Sequence, residues 1–354
     1  MQSNKMHFNK NLTIENKQIN PSSSTFIIAE AGVNHCGDMH LAKELIDLAA
    51  KAGADAVKFQ SFKTESLILA GVEKAPYQQK STAAKESQFE MLKKLEISKI
   101  QNLELKNYAE SKGIIFLTTP FDEDSLLETD ELNLPAYKIA STDTTNLPFL
   151  QKIAQRGKPI FLSTGMSYFD EVCLALEVIY EYNKDVVLLQ CTANYPIEDN
   201  EANLRVINTY KENFDILLGY SDHTRGIGAA PFAIPMGAKV VEKHFTLDKS
   251  LTGPDHGASL SPQELIDFVK LVRQVDQFMG SMVKQPNAAE IKTRASLQKC
   301  LVAKHDIPIG EVFTDKNVIA KRTGGRGISP IHYKKIFGKT SNAVYKKDDL
   351  IMVE

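Results

Sequence analysis

The sequence contains no tryptophan, and its other shortages exclude more. No uninterrupted run of about 18 apolar residues occurs, so no membrane-spanning helix is expected. The opening stretch, MQSNKMHFNKNLTIENKQINPSSS, is polar and has no apolar core of the kind a secretory leader requires. Cysteine is scarce. Cys36, Cys173, Cys191 and Cys300 lie far apart with no CxxC pair, which argues against a zinc knuckle or redox motif and fits reduced thiols in a cytoplasm. Charge of one sign is missing too: 42 basic and 44 acidic side chains leave a formal net charge of -2. No overall field therefore draws in nucleic acid or an anionic membrane, and any positive site has to be local.

What is present is a repeated pattern. At 354 residues, 43% hydrophobic and 24% charged, the chain suits one large soluble domain plus a small one. Between residues 26 and 246, short apolar runs rich in β-formers alternate with longer segments that carry apolar residues at three- and four-residue spacing. The runs are FIIAEAG (26–32), AVKFQ (56–60), IIFLTTP (114–120), AYKIAS (136–141), PIFLSTG (159–165), VVLLQCT (186–192), ILLGYSD (216–222) and VVEKHFT (240–246). Near-continuous apolar strands alternating with amphipathic helices imply a parallel sheet covered by helices. Eight units over about 220 residues imply a closed (β/α)8 barrel. The rival is an open doubly wound sheet, which the lack of GxGxxG after the first run weakens.

Strand starts lie about 22 to 30 residues apart, except for a 58-residue gap between the second and third. An excess of that size at a βα connection is expected to form part of a substrate site. Farther on, Ser261 and Glu264 form a capping box opening a helix over 261–280. Residues 282–294 read as linker, and 295–354 as a small β-rich domain that leans on another surface because it is too small to bury much core. Residues 1–25 precede the barrel (26–281) and allow a short hairpin turning at Glu15-Asn16.

Active sites of such barrels lie at the C-terminal strand ends, and there the polar residues concentrate: Glu30, Asn34 and His35 after the first strand, Lys58 and Gln60, Thr118 and Thr119, Lys138 and Ser141, Ser163, Gln190 and Thr192 with Tyr195 beyond, Ser221 to His223, then Glu242 and His244. Lysines inside apolar runs are costly to bury unless a counter-charge meets them. Lys58 and Lys138 therefore predict a bound anion or buried carboxylates, with Thr119, Ser141, Ser163 and Ser221 as neutral donors around it. His223 and His244 end adjacent strands about 4.8 Å apart, close enough for one metal ion, with Glu30 as a further ligand or nearby base. Imidazole and carboxylate suit Mn, Fe, Co or Zn alike. Asp255, on the turn LTGPDHGAS, either bonds a polyol substrate or shapes the turn.

Together these residues resemble the sialic acid synthase family, which includes the legionaminic and pseudaminic acid synthases. The likeness is carried by AEAGVNHCGD, GADAVKFQSFK, ESQFEMLKKLE, FLTTPFDEDS, AYKIAS, TNLPFL, LSTGM, GYSDHTRGI, EKHFTLDKSLTGPDH and AKRTGGRGISP, from about residue 12 onward. The resemblance implies a TIM barrel followed by an antifreeze-like (SAF) domain, in a domain-swapped homodimer where each small domain covers its partner's barrel mouth. It implies His223 and His244 as ligands of Mn2+ (Mg2+ or Co2+ being other options), and Glu30 as the acid near the reacting carbons. Lys58, Thr119, Lys138, Ser141, Ser163 and Ser221 match the phosphoenolpyruvate cradle. Gln60, Tyr195 and Asp255 fall at substrate contacts, and Arg322 matches an arginine that reaches the sugar's N-acyl group from the neighbouring subunit. Two positions depart: Thr323 replaces a common proline beside Arg322, and Ala193 replaces a polar residue beside the phosphate.

The implied reaction joins phosphoenolpyruvate, N-acetylmannosamine and water into N-acetylneuraminate plus phosphate. The alternative acceptor is 2,4-diacetamido-2,4,6-trideoxymannose, giving legionaminic acid; pseudaminic acid synthesis is a further option. Two other classes compete. A Schiff-base aldolase would use Lys138 or Lys58 as nucleophile, whereas a glycan-binding protein would have no use for buried lysines and paired strand-end histidines.

Overall fold

A computed structural model of the protein describes residues 6–82 and 86–352. The chain divides into two compact units, one ending at Gly280 and the other beginning at Ser281.

The first unit opens with an antiparallel hairpin, β1 (Leu12–Ile14) and β2 (Lys17–Ile19), turning at Glu15, whose φ is +53°. Eight parallel strands follow: β3 (Phe26–Gly32), β4 (Ala56–Ser61), β5 (Ile115–Pro120), β6 (Tyr137–Ile139), β7 (Ile160–Ser163), β8 (Val186–Cys191), β9 (Leu217–Asp222) and β10 (Ala238–His244). Each of the eight apolar runs supplies one. The hydrogen-bonded order is β5-β4-β3-β10-β9-β8-β7-β6, so the last strand pairs with the first and the sheet curls round. The end strands β5 and β6 lie side by side. This is a TIM-type barrel.

The two-residue period of a strand sorts the side chains. One parity, including Ile27, Ala29, Val57, Phe116 and Leu188, packs outward in the main core with the helices. The helix Met39–Ala52 shows how that layer forms: Asp38 Oδ1 accepts from His40 N at 2.7 Å, Gly53 ends the helix at φ +82°, and Ala42, Leu45, Ile46 and Ala49 supply the buried stripe. The capping box at Ser261 and Glu264 starts the helix Pro262–Met279.

The other parity points into the barrel. Its lower layers are apolar: Phe26, Ile28, Ala56, Ile115, Leu117, Phe161, Val187, Leu189, Leu217 and Val240 form one cluster with Leu12, Ile14 and Ile19. The hairpin thus plugs the N-terminal end of the barrel. Packing here leaves Gly219 no room for a side chain, since a Cβ would lie 2.7 Å from Val240 O and 2.9 Å from Leu189 Cγ. Gly219→Ala is expected to cost about 1–3 kcal/mol through overpacking, measured as a lowered unfolding midpoint. An unchanged midpoint would mean that this layer is loosely packed.

The described residues of the long β4–β5 excursion include several short helices. These are Thr64–Leu67, Pro76–Ser81 and Gln88–Lys93, and Leu67 and Leu92 from the first and third pack on a small core of Val33, Phe62, Met91 and Leu95.

In the second unit, β11 (Lys299–Ala303) pairs antiparallel with β12 (Val318–Arg322). Leu301, Ala303, Ile307, Phe313, Val318, Ile336, Tyr345 and Ile351 form its core. The stretch read as linker departs from expectation, because Ala288–Leu297 is helical. Asn287 caps it by accepting from Glu290 N at 2.9 Å, while Glu290 reaches back to Asn287 N. At the departure from the family pattern, Thr323 Oγ1 donates to Arg326 O at 2.5 Å and closes the turn after β12.

Candidate active site

Above the apolar layers, the inward positions turn polar. Moving two residues along each strand from the packed interior reaches Glu30, Lys58, Gln60, Thr119, Lys138, Ser163, Cys191, Ser221, Glu242 and His244. All of these line one cavity of about 730 Å3. Ser141, Tyr195, His223 and Asp255, on the loops that follow, line it as well, as does Ala193. The barrel residues read as catalytic, substrate-binding or metal-ligating therefore meet at one mouth, whereas Asn34, His35, Thr118, Gln190, Thr192 and Asp222 do not line it. Arg322 belongs to the other unit, where it ends β12 exposed to solvent.

The floor is a buried charge lattice. Lys58 Nζ lies 2.6 Å from Glu30 Oε2 and 3.6 Å from Glu242 Oε2, and donates to Thr119 Oγ1 at 3.0 Å. Lys138 Nζ lies 3.6 Å from Glu242 Oε1 and donates to Ile139 O at 3.1 Å. Ser221 Oγ donates to Glu242 Oε1 at 2.8 Å. Gln60 Nε2 donates to Glu30 Oε1 at 3.2 Å. Both lysines are 3% exposed, and the carboxylates 1% and 4%. The counter-charges that the lysines demanded are thus present in the protein itself.

Environment separates the two glutamates. Burial pushes the Glu30 carboxyl up to about 7 against the pull of Lys58. Burial would raise Glu242 also, but the Lys138 and Lys58 ammonium groups outweigh it and hold that carboxyl at about 2. Glu242 stays an anion while Glu30 can exchange a proton near neutrality, the division of roles that two carboxyls in one acid–base site require. Burial also lowers the Lys138 ammonium, so the charge of the floor depends on the protonation of Glu30 and Lys138. Neutral groups surround it: Ser163 Oγ is buried with no hydrogen-bond partner, and Ser141 Oγ accepts from Gly165 N at 2.8 Å.

Beside the floor stand the two imidazoles, their ring centroids 5.5 Å apart. His223 donates from Nδ1 to Thr192 O at 2.7 Å, which in the neutral ring leaves Nε2 as a lone-pair donor. His244 Nδ1 is buried without a hydrogen-bond partner, 4.0 Å from Asp255 Oδ2. Burial pushes the His244 imidazole well below its ordinary value, so it is neutral and able to ligate. Burial raises Asp255 to about 6. These donors fit a divalent cation. Among the described residues no group of three or more His, Cys, Asp or Glu gathers for a metal, and Glu30, as a third ligand, is instead engaged by Lys58 and Gln60.

Three features escaped the sequence reading. Glu242, noted only as a strand residue, bridges both lysines. Cys191 Sγ lies inside the cavity, 3.8 Å from His223 Nδ1. Tyr77, from the β4–β5 excursion, packs on Tyr195 with centroids 5.1 Å apart, and Tyr195 lies 4.0 Å from the His223 ring. Conversely, Asn34 and His35 tie loops together. Asn34 Nδ2 donates to Phe245 O at 2.8 Å and to Ser259 Oγ at 2.9 Å, and His35 Nδ1 accepts from Gly37 N at 3.0 Å.

Comparison with known proteins bears on the family and the fold. The NeuB family model matches residues 45–284 and the SAF domain model residues 298–352. A Campylobacter jejuni protein named N,N'-diacetyllegionaminic acid synthase is 47% identical over 330 residues, covering 92% of this chain and 98% of the relative. The human N-acetylneuraminate-9-phosphate synthase is 39% identical over 330 residues, covering 93% and 92%. In structure, the chain is similar to an N-acetylneuraminic acid (sialic acid) synthetase from Leptospira borgpetersenii solved with citrate. That match has a TM-score of 0.73 at 34% identity and covers 82% of this chain and 98% of that one.

Proposed function

Since the chain belongs to the NeuB family, we propose that it condenses phosphoenolpyruvate with the open-chain aldehyde of an N-acyl amino-sugar, giving a nine-carbon α-keto acid and phosphate. The observation that carries this reading is the meeting of two buried lysines and two strand-end imidazoles in one cavity. Lys58 and Lys138, with Thr119, Ser141, Ser163 and Ser221, hold the carboxylate and phosphate of phosphoenolpyruvate on the floor. His223 and His244 would hold a divalent ion, Mn2+ before Mg2+ or Co2+, which supplies Lewis-acid polarisation of the aldehyde oxygen when bound. Tyr195 and Asp255 orient the sugar above, and Gln60, hydrogen-bonded to Glu30, contacts substrate from the floor. The enol carbon of phosphoenolpyruvate attacks the aldehyde carbon, and water, steered by Glu30, adds to the phosphate-bearing carbon. Phosphate then leaves by C–O cleavage. Placement of both reactants and fixed charge around them supply the acceleration.

Two acceptors match the family's range: N-acetylmannosamine and 2,4-diacetamido-2,4,6-trideoxymannose. Apolar residues in the cavity lining, Leu67, Ile68, Leu92 and Phe121, support the second, since such surface suits a methyl terminus better than a hydroxymethyl. A homodimer in which the second copy brings Arg322 to the sugar also follows from the family reading.

The test is phosphate release from phosphoenolpyruvate with each sugar in turn, before and after chelation. Activity is expected with the diacetamido sugar at least about tenfold above N-acetylmannosamine in kcat/KM, the worth of roughly 1.4 kcal/mol. Chelator should silence the reaction and Mn2+ restore it. Covalent trapping of pyruvate by borohydride, with activity indifferent to chelator, would establish the Schiff-base aldolase instead.

A further inference from the structure

The motif GYSDHTRGIG (219–228) places Asp222 between two cavity residues, Ser221 and His223, yet Asp222 does not line the cavity. Its strand neighbour on β10 is Lys243, which likewise sits between Glu242 and His244. Strand parity turns both side chains to the barrel's outer side, where they meet: Lys243 Nζ lies 2.9 Å from Asp222 Oδ2 and donates to Thr224 O at 2.8 Å. Both residues are nearly inaccessible, 2% and 1% exposed.

Asp222 is saturated with donors. Its Oδ1 accepts from Thr224 N at 2.9 Å and Thr224 Oγ1 at 2.6 Å. Its Oδ2 accepts from Ala229 N at 3.1 Å and Ala230 N at 3.0 Å, at the start of the helix Ala230–Met236. One carboxylate thus ties β9, the loop after it and the following helix, and Lys243 ties all three to β10. Gly228 makes the arrangement possible: it sits at φ +65°, and a Cβ there would lie 1.8 Å from Thr224 Oγ1 and 2.9 Å from Lys243 Nζ.

A buried ion pair adds little net stability over an apolar pair of similar shape, so stability is a poor reason for its presence. What it does fix is geometry. His223 is flanked on both sides by residues locked into this cluster, and His244 follows Lys243 directly. We infer that Asp222 and Lys243 are positioning residues: they lock the ends of β9 and β10 together and thereby set the separation of the two imidazoles. This rests on the proposed reading of His223 and His244 as metal ligands. Orienting groups behind metal ligands typically change affinity or activity by about 10–100-fold.

The experiment compares wild type with Lys243→Met, Asp222→Asn and the control Arg273→Met. The control breaks the Asp55–Arg273 pair (2.6 Å), which lies near the start of β3 and away from the cavity. Mn2+ affinity, kcat, KM and unfolding midpoint are measured for each protein. Lys243→Met and Asp222→Asn are expected to bind Mn2+ about 10–100-fold more weakly and to lower kcat while the KM for phosphoenolpyruvate stays within about twofold. Lys243→Arg should recover part of both losses. Arg273→Met should lower the midpoint but leave affinity and kcat as in wild type. The inference is overturned if Lys243→Met and Asp222→Asn lose only thermal stability, as the control does. It is also overturned if Lys243→Met fails to fold and Asp222→Asn keeps wild-type affinity. A wild-type protein that binds no Mn2+ defeats the metal reading, and with it this one, and is told apart by failing before any variant is compared.

Discussion

A His244→Ala variant is expected to release phosphate on the order of 10^3-fold more slowly than wild type. His244 is buried, neutral and unpartnered at Nδ1, so its removal takes away no protein hydrogen bond at that atom and leaves the charge lattice of the floor untouched. The unfolding midpoint should therefore move only modestly. The two readouts separate: lost turnover with a retained midpoint marks a ligand, whereas a collapsed midpoint marks a core histidine. Mn2+ affinity should fall with turnover. Turnover at the wild-type level would end the metal assignment outright.

The second large effect belongs to the lysines, and they should not behave alike. Lys138→Met removes one ammonium 3.6 Å from Glu242 but leaves Lys58 to balance that carboxylate. The expected result is a folded protein whose kcat/KM for phosphoenolpyruvate falls about 10^2- to 10^3-fold, with the sugar's KM little changed. Lys58→Met strips the counter-charge from Glu30 and half of that from Glu242. Breaking a buried pair by removing one partner costs about 3–5 kcal/mol, so this variant should lose stability as well as activity. Denaturant titration alongside steady-state kinetics reads both. Unchanged phosphoenolpyruvate kinetics in Lys138→Met would remove the floor from the anion-binding role.

Much of the barrel was legible because a parallel sheet between a filled interior and a helical layer needs apolar residues on both faces, which yields runs such as VVLLQC and IIFLTT. Boundaries were less so. Strand β6 covers only Tyr137–Ile139, and Ser141 opens a 3-10 turn, because the run AYKIAS does not show where its hydrogen-bond ladder stops. The helix Ala288–Leu297 was missed for a different reason: it buries no residue, so no apolar stripe announces it, and only the Asn287–Glu290 box marked its start.

The site shows the same division. Residues carrying an unusual cost where they stand, such as a lysine in an apolar strand, declared themselves. Glu242 did not, though it shares the inward parity of His244 two positions on and could have been placed by that count. Tyr77 lies more than a hundred residues from Tyr195, and only folding of the excursion brings them together. Asp222 and Lys243 have the opposite parity from the imidazoles, and nothing local tells that their outward side is sealed.

The hairpin plug under the barrel has a kinetic consequence. With Leu12, Ile14 and Ile19 packed beneath the apolar layers, the cavity is a well loaded through its mouth. Under the proposed reading, phosphoenolpyruvate on the charged floor would lie beneath the sugar, so the expected order of loading is phosphoenolpyruvate first, with the sugar acid released before the phosphate.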